Sequence, residues 1–136
     1  MIRPPDSLSD AVRRAMPGTE QPLAVLLDSF LDRFYESSQA ERQAMIAEEP
    51  PRTGIERDDA YLAAMAEYLA ERWGLQAPEW TQSDGRQVSA PWFVGSMGIG
   101  LSGLLLVESP AAFRRRNIFT EAEPLRRARM PARPHG

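Results

Sequence analysis

Leu23, Leu26, Leu27, Phe30, Leu31 and Phe34 recur with the 3.6-residue period of an α-helix, while Asp28, Asp32, Arg33 and Glu36 fill the opposite face. That stripe predicts an amphipathic helix starting at Pro22, because proline's missing N–H and fixed φ suit a first helical position. Upstream, Ser7 or Ser9 is placed to cap a shorter helix through Ala11, Val12 and Met16, stopped by Pro17 and Gly18. Downstream, Ser38 followed by Glu41 makes a capping box, in which each residue's side chain binds the other's backbone N–H. The helix it opens carries Arg42, Ala44, Met45 and Ile46 and ends before Pro50 and Pro51. Residues 50–57 read as a linker. Asp58 or Asp59 then caps a helix bearing Tyr61, Leu62, Met65, Tyr68, Leu69 and Trp73, with Gly74 as its stop and Leu75 placed for the contact that accompanies a glycine cap.

The helical period fails over residues 76–90, where Pro78, Asp84 and Gly85 mark turns. Trp80, Trp92 and Phe93 interrupt this polar stretch, and such a loop is expected to lay its tryptophans over the core. Leu104, Leu105, Leu106 and Val107 form a short apolar run that fits a minor strand or a buried helical turn. Ser109 as cap with Pro110 as first residue opens a further helix with Phe113 facing inward, and Asn117 suits a left-handed stop. Thr120 with Glu123 predicts a second capping box and a last helix around Leu125. Pro131 and Pro134 break the pattern, leaving residues 131–136, with His135, as a disordered tail. The expected fold is all-α, a small bundle of about five to six short helices with a Trp-containing loop and room for one minor strand around residues 104–107. A single domain over residues 1–136 is expected, with N-terminal helices in 1–49 and a helical module in 58–130.

Composition changes this picture in three places. The 136 residues contain no cysteine, which excludes disulfides, thiol catalysis and cysteine-held metals, and fits a cytoplasmic location. Residues 1–10 lack the basic and apolar regions of a secretory signal, and the uncharged stretch 90–107 is broken by four glycines and a proline, a poor membrane span. All 16 basic side chains are arginine, and they are unevenly spread: residues 1–109 hold 9 Arg against 17 acids, residues 110–136 hold 7 Arg against 2. A basic segment beside an acidic body either folds back on it or meets an acidic partner.

No catalytic constellation stands out. Gly98, Gly100 and Gly103 have the spacing of a dinucleotide-binding loop, but no strand precedes them and no long helix follows. Asp28, Asp32 and Glu36 share one helix face, as do Glu67 and Glu71, and either set offers carboxylates to a cation or a proton transfer. No histidine stands near them, and His135 is remote from any serine in a rigid element. No cofactor or metal is expected. Arg114, Arg115 and Arg116 point about 100° apart on a helix, so one at least faces the protein. They either balance the acidic body or form, with Trp92, Phe113, Phe119, Arg126 and Arg127, a surface that binds a partner.

The run Glu108-Ser-Pro-Ala-Ala-Phe-Arg-Arg-Arg-Asn-Ile-Phe119 follows Tyr61-Leu-Ala-Ala-Met-Ala-Glu-Tyr-Leu-Ala, Gly74-Leu, Pro78-Glu-Trp80 and Pro91-Trp-Phe93. In that order these segments, within residues 40–130, resemble an uncharacterised family of helical proteins of GC-rich bacteria. Its members often carry the module behind a helix-turn-helix domain and are often encoded beside a nucleotidyltransferase-like protein of the toxin–antitoxin kind. The resemblance implies an antitoxin-like or regulatory protein that binds such an enzyme, and it carries over no catalytic residues, since none are established for the family; a homodimer is compatible with it. One alternative is a nucleic-acid-binding transcriptional regulator, although no segment of the first 50 residues reads as a basic recognition helix. The other is an enzyme using the helix carboxylates.

Overall fold

A computed structural model describes residues 6–15, 23–94, 108–121 and 124–127, with side chains from residue 26 onward in the second stretch. The Pro17–Gly18 stop, Pro22, the Gly98–Gly103 spacing, the run at 104–107, Glu123, Arg129 and the tail with His135 lie outside them. Among the described residues the protein is mainly helical: α1 (Leu8–Ala15), α2 (Leu23–Glu36), α3 (Gln39–Ala47), α4 (Glu56–Trp73) and the short α5 (Ala111–Arg114), with a 3₁₀ turn at Glu79–Gln82.

The N-terminal helices begin where side chains replace missing backbone partners. Ser7, not Ser9, caps α1: its hydroxyl accepts the Asp10 N–H at 3.0 Å and the Asp10 carboxylate accepts the Ser7 N–H at 3.1 Å. At α3 both halves of the Ser38–Glu41 box are present, at 3.2 and 2.8 Å. Helices α1, α2 and α3 pack on one another.

The fourth helix is the centre of the molecule. Ala60, Leu62, Ala63, Ala64, Met65, Ala66, Leu69 and Ala70 are all buried, so α4 is covered on most sides. Its alanines let α5 and the 3₁₀ turn come close on one side, while Trp73 meets Tyr35 of α2 with ring centroids 5.8 Å apart. Buried residues from all five helices form one core cluster. Gly74 ends α4 in the left-handed conformation at φ 71°, and the Gly74 and Leu75 N–H groups both donate to the Ala70 carbonyl.

Four expectations need correction. First, α4 starts at Glu56, capped by the backbone of Ile55 and by neither aspartate. Asp59 instead accepts the Thr53 N–H and hydroxyl, tying down the chain ahead of the helix. Residues 50–57 are therefore not a free linker: Pro50 is buried, and its carbonyl accepts a hydrogen bond at 2.9 Å from the fully buried Arg86. Second, Pro110 is the cap of α5, while the Ser109 hydroxyl pairs with the Thr120 backbone at 2.8 and 3.1 Å, stapling the two ends of this segment. Third, Pro124–Leu125 is a turn and no helix is present at residues 120–121 or 124–127. Pro124 has no N–H for the Thr120 carbonyl, so the first bond of such a helix cannot form. Fourth, the tryptophan loop contains a strand. β1 (Trp92–Phe93) pairs in parallel with β2 (Ile118–Phe119), in register Trp92 to Ile118 and Phe93 to Phe119. Asn117, at φ 64°, makes the left-handed corner between α5 and β2 and donates from its amide to the Val88 carbonyl.

Candidate functional site

Among the described C-terminal arginines Arg116 is buried, Arg115 and Arg127 pair with carboxylates of the body, and Arg114 and Arg126 are exposed. The Arg116 guanidinium reaches the Glu67 carboxylate at 2.7 Å and the carbonyls of Ala112 and Thr81 at 2.7 and 2.6 Å. Arg115, half exposed, spans Glu67 at 3.0 Å and Glu71 at 3.6 Å. The other Glu67 oxygen accepts from Gln82. Three side chains thus surround one buried carboxylate of α4, which is how the interior tolerates it. Arg114 is exposed and makes no ion pair among the described residues.

The two phenylalanines expected to flank these arginines as surface anchors are interior. Phe113 is 0% exposed and packs between Tyr61 and Tyr68, at centroid distances of 5.4 and 5.7 Å. Phe119 is buried under a stacked Phe93, 5.0 Å away. The inward-facing outcome for Phe113 holds, but neither ring is free to enter a partner. Trp80 and Trp92 lie against the core as expected: Trp80 is buried and donates to the Ile46 carbonyl, while Trp92 remains half-buried.

The remaining candidates gather elsewhere. Arg127 forks onto Asp32 at 3.0 and 3.1 Å and reaches Asp28 at 3.5 Å, fastening the C-terminal segment to α2. Tyr35 completes that attachment by donating to the Leu125 carbonyl at 2.7 Å. Between α2, α4, β1 and residues 124–127 this leaves a cleft of about 300 Å³. It is lined by buried Leu27, Leu31, Leu62 and Met65, by Tyr61 and Trp92, whose ring centroids are 6.0 Å apart, and by Arg126 and Arg127 of the C-terminal segment.

Three polar groups in this cleft have no partner among the described residues: the Asp58 carboxylate, the Tyr61 hydroxyl and the exposed Arg126 guanidinium. Burial, helped by neighbouring Asp59, pushes the Asp58 carboxyl above the ordinary carboxylate value. Burial, with the charges of Asp28 and Glu121, pushes the Tyr61 phenol up to about 12. An apolar cleft with a few converging, perturbed polar groups is the usual form of a binding site.

The phenol offers a direct check. Alkaline titration followed by tyrosinate absorbance should reveal one tyrosine that ionises at about 12, and Asp28→Asn should lower that midpoint. The folded state holds the proton longer than the unfolded chain, whose phenol ionises near the ordinary 10.0. This group's stabilising contribution is therefore complete below the unfolded value and is lost as pH rises from 10 towards 12. A titration without the late phase would contradict the burial of Tyr61.

The carboxylate faces of α2 and α4 are mostly committed to arginines, and among the described residues no group of three His, Asp or Glu is placed to hold a metal. No helix among them is long and apolar enough to cross a membrane. The sequence pattern places Asp58 at a helix cap and Tyr61 in a core stripe. Their spacing carried a further signal: 58, 61, 62 and 65 are i, i+3, i+4 and i+7, which sets a carboxylate at the head of an apolar stripe.

Comparison with protein-family models, curated proteins and solved structures finds no match.

Proposed function

We propose that the chain is a non-enzymatic, antitoxin-like or regulatory binding protein, and that its partner, a nucleotidyltransferase-like enzyme encoded nearby, docks over the mouth of the α2–α4 cleft. The observation that carries this reading is the cleft itself, whose Asp58 carboxylate, Tyr61 hydroxyl and Arg126 guanidinium have no polar partner among the described residues and stand beside an apolar lining. The motif order across residues 61–119 and its resemblance to the antitoxin-like family supply the class of partner. The partner surface moves from the arginine run to Trp92, Arg126 and the cleft, because Arg115 and Arg116 are taken up by Glu67 and Glu71.

Catalysis by the helix carboxylates is the weaker reading. Glu67 is surrounded by Arg115, Arg116 and Gln82, and Asp32 is forked by Arg127, so neither is free to exchange a proton with a substrate. Nucleic-acid binding has Arg114 and Arg126 as exposed cations, but ion-paired carboxylates lie beside the neighbouring arginines, a poor match to a phosphate backbone.

Co-expression with the product of the adjacent gene, followed by size-exclusion chromatography with mass measurement, should give one complex at micromolar concentration. Trp92→Ala and Arg126→Glu should each weaken it by about tenfold or more, the range of a docking hot spot, while Arg114→Glu leaves it unchanged. Separate elution of the two proteins would sink the reading.

A further inference from the structure

We infer that the cleft seats the side chain of a basic residue, arginine or lysine, presented by the partner protein, with its cationic head against Asp58 and its methylene stem along the partly exposed Tyr61 and Val94. The inference rests on the docking reading above and adds the chemistry of what enters.

Glu56, Asp58 and Asp59 all lie in the first turn of α4, where negative charge complements the helix dipole. The dipole accounts for three acids there but not for their different surroundings. Glu56 accepts the Ser89 N–H. Asp59 accepts from Thr53 and lies 4.0 Å from Arg86. Asp58 alone of the three has neither a hydrogen bond nor an ion pair among the described residues, and it faces the cleft. A half-buried carboxylate against apolar walls is costly until a donor reaches it. An ionised carboxylate only accepts hydrogen bonds, so a cation is the visitor that satisfies it best, while an acidic group would be repelled.

The rest of the cleft suits such a side chain. Long basic residues lay their methylenes along apolar surface and keep the charge at the tip, and the Tyr61 ring and Val94 supply that surface above the fully buried Leu62 and Met65. Arg57 already lies over the Trp92 ring at 5.1 Å, so the incoming head has Asp58 and the Tyr61 hydroxyl as partners rather than the indole face. Arg127, which also lines the cleft, is held by Asp32 and Asp28 and does not compete for Asp58. Exposed Arg126 is left to meet an acidic neighbour of the inserted base. The complementary segment therefore carries a base that enters and an acid that stays outside.

Two small probes separate the charge from the shape: n-butylguanidinium and its neutral isostere n-butylurea, titrated into the full chain and followed by NMR at the Met65 methyl and the Tyr61 ring. The cation should bind about tenfold more tightly than the urea, and Asp58→Asn should erase the difference. That variant is isosteric and gives up no bond in the free protein, so circular dichroism should be unchanged. Equal binding of the two probes, or no movement of these resonances with either, overturns the inference. If the partner complex forms but keeps its affinity in Asp58→Asn, the inference falls and the docking reading stands. Discrimination between the probes without any complex would leave the cation preference standing and remove the proposed partner.

Discussion

Arg116→Ala should cost about 3–5 kcal/mol of folding stability, the range for removing one partner of a buried ion pair. The substitution removes a 2.7 Å bond to Glu67 and leaves the carbonyls of Ala112 and Thr81 without their donor. Arg115 cannot compensate, because it approaches Glu67 from the half-exposed side and divides its guanidinium with Glu71. Removing a side chain that is already exposed has no such consequence: Arg114→Ala should stay within about 0.5 kcal/mol of the parent protein. Urea denaturation followed by circular dichroism makes the comparison. A loss below about 1 kcal/mol for Arg116→Ala would mean that Glu67 finds water or another donor, contrary to its burial. A double-mutant cycle with Glu67→Gln should show strong coupling, since the two side chains touch.

Phe113→Ala should cost a comparable amount, about 3–5 kcal/mol, from lost transfer energy and the cavity left behind. The ring is fully buried and sits between Tyr61 and Tyr68, both on α4. This outcome decides between two roles. A surface anchor would lose binding and leave stability intact, whereas a core ring loses stability first. Because Tyr61 also lines the cleft, the truncation should loosen that wall and bring the Tyr61 ionisation down from about 12 towards the ordinary value. Thermal unfolding together with the alkaline titration measures both effects on one sample.

The α2–α3 pair, the Ser38–Glu41 box and the Gly74 stop are legible in the chain because each depends on residues within a turn of one another. The all-helical class follows from the same local periods. The errors fall where distant contacts or a single proline prevail over a local signature. Asp58 and Asp59 look like caps, but Thr53 and Arg86 draw Asp59 away, and Ile55 serves with its backbone. Thr120 looks like the start of a helix until Pro124 is counted at the position that must donate the first bond. Trp92 and Phe93 have no strand signal, since two residues are too few for a period and their partner lies at 118–119. The cleft is partly legible: the spacing of Asp58, Tyr61, Leu62 and Met65 marks what α4 contributes to its lining, but the approach of residues 124–127 to α2 depends on Arg127 crossing 95 positions to Asp32. Of the eight residues expected at a partner surface, Trp92, Arg126 and Arg127 line the cleft. The structure places Phe113, Phe119 and Arg116 inside.

The bond between Glu67 and Arg116 joins residues 49 positions apart. During synthesis α4 leaves the ribosome well before the arginine that neutralises its central acid has been made. Until then Glu67 cannot be dried at an acceptable cost, and the helix that the whole core surrounds must keep that side open to water. Completion of the fold is thereby deferred until Arg116 has been made and has emerged. Nascent chains halted before residue 116 should be open to proteolysis along α4, and those extended past the arginine should resist it.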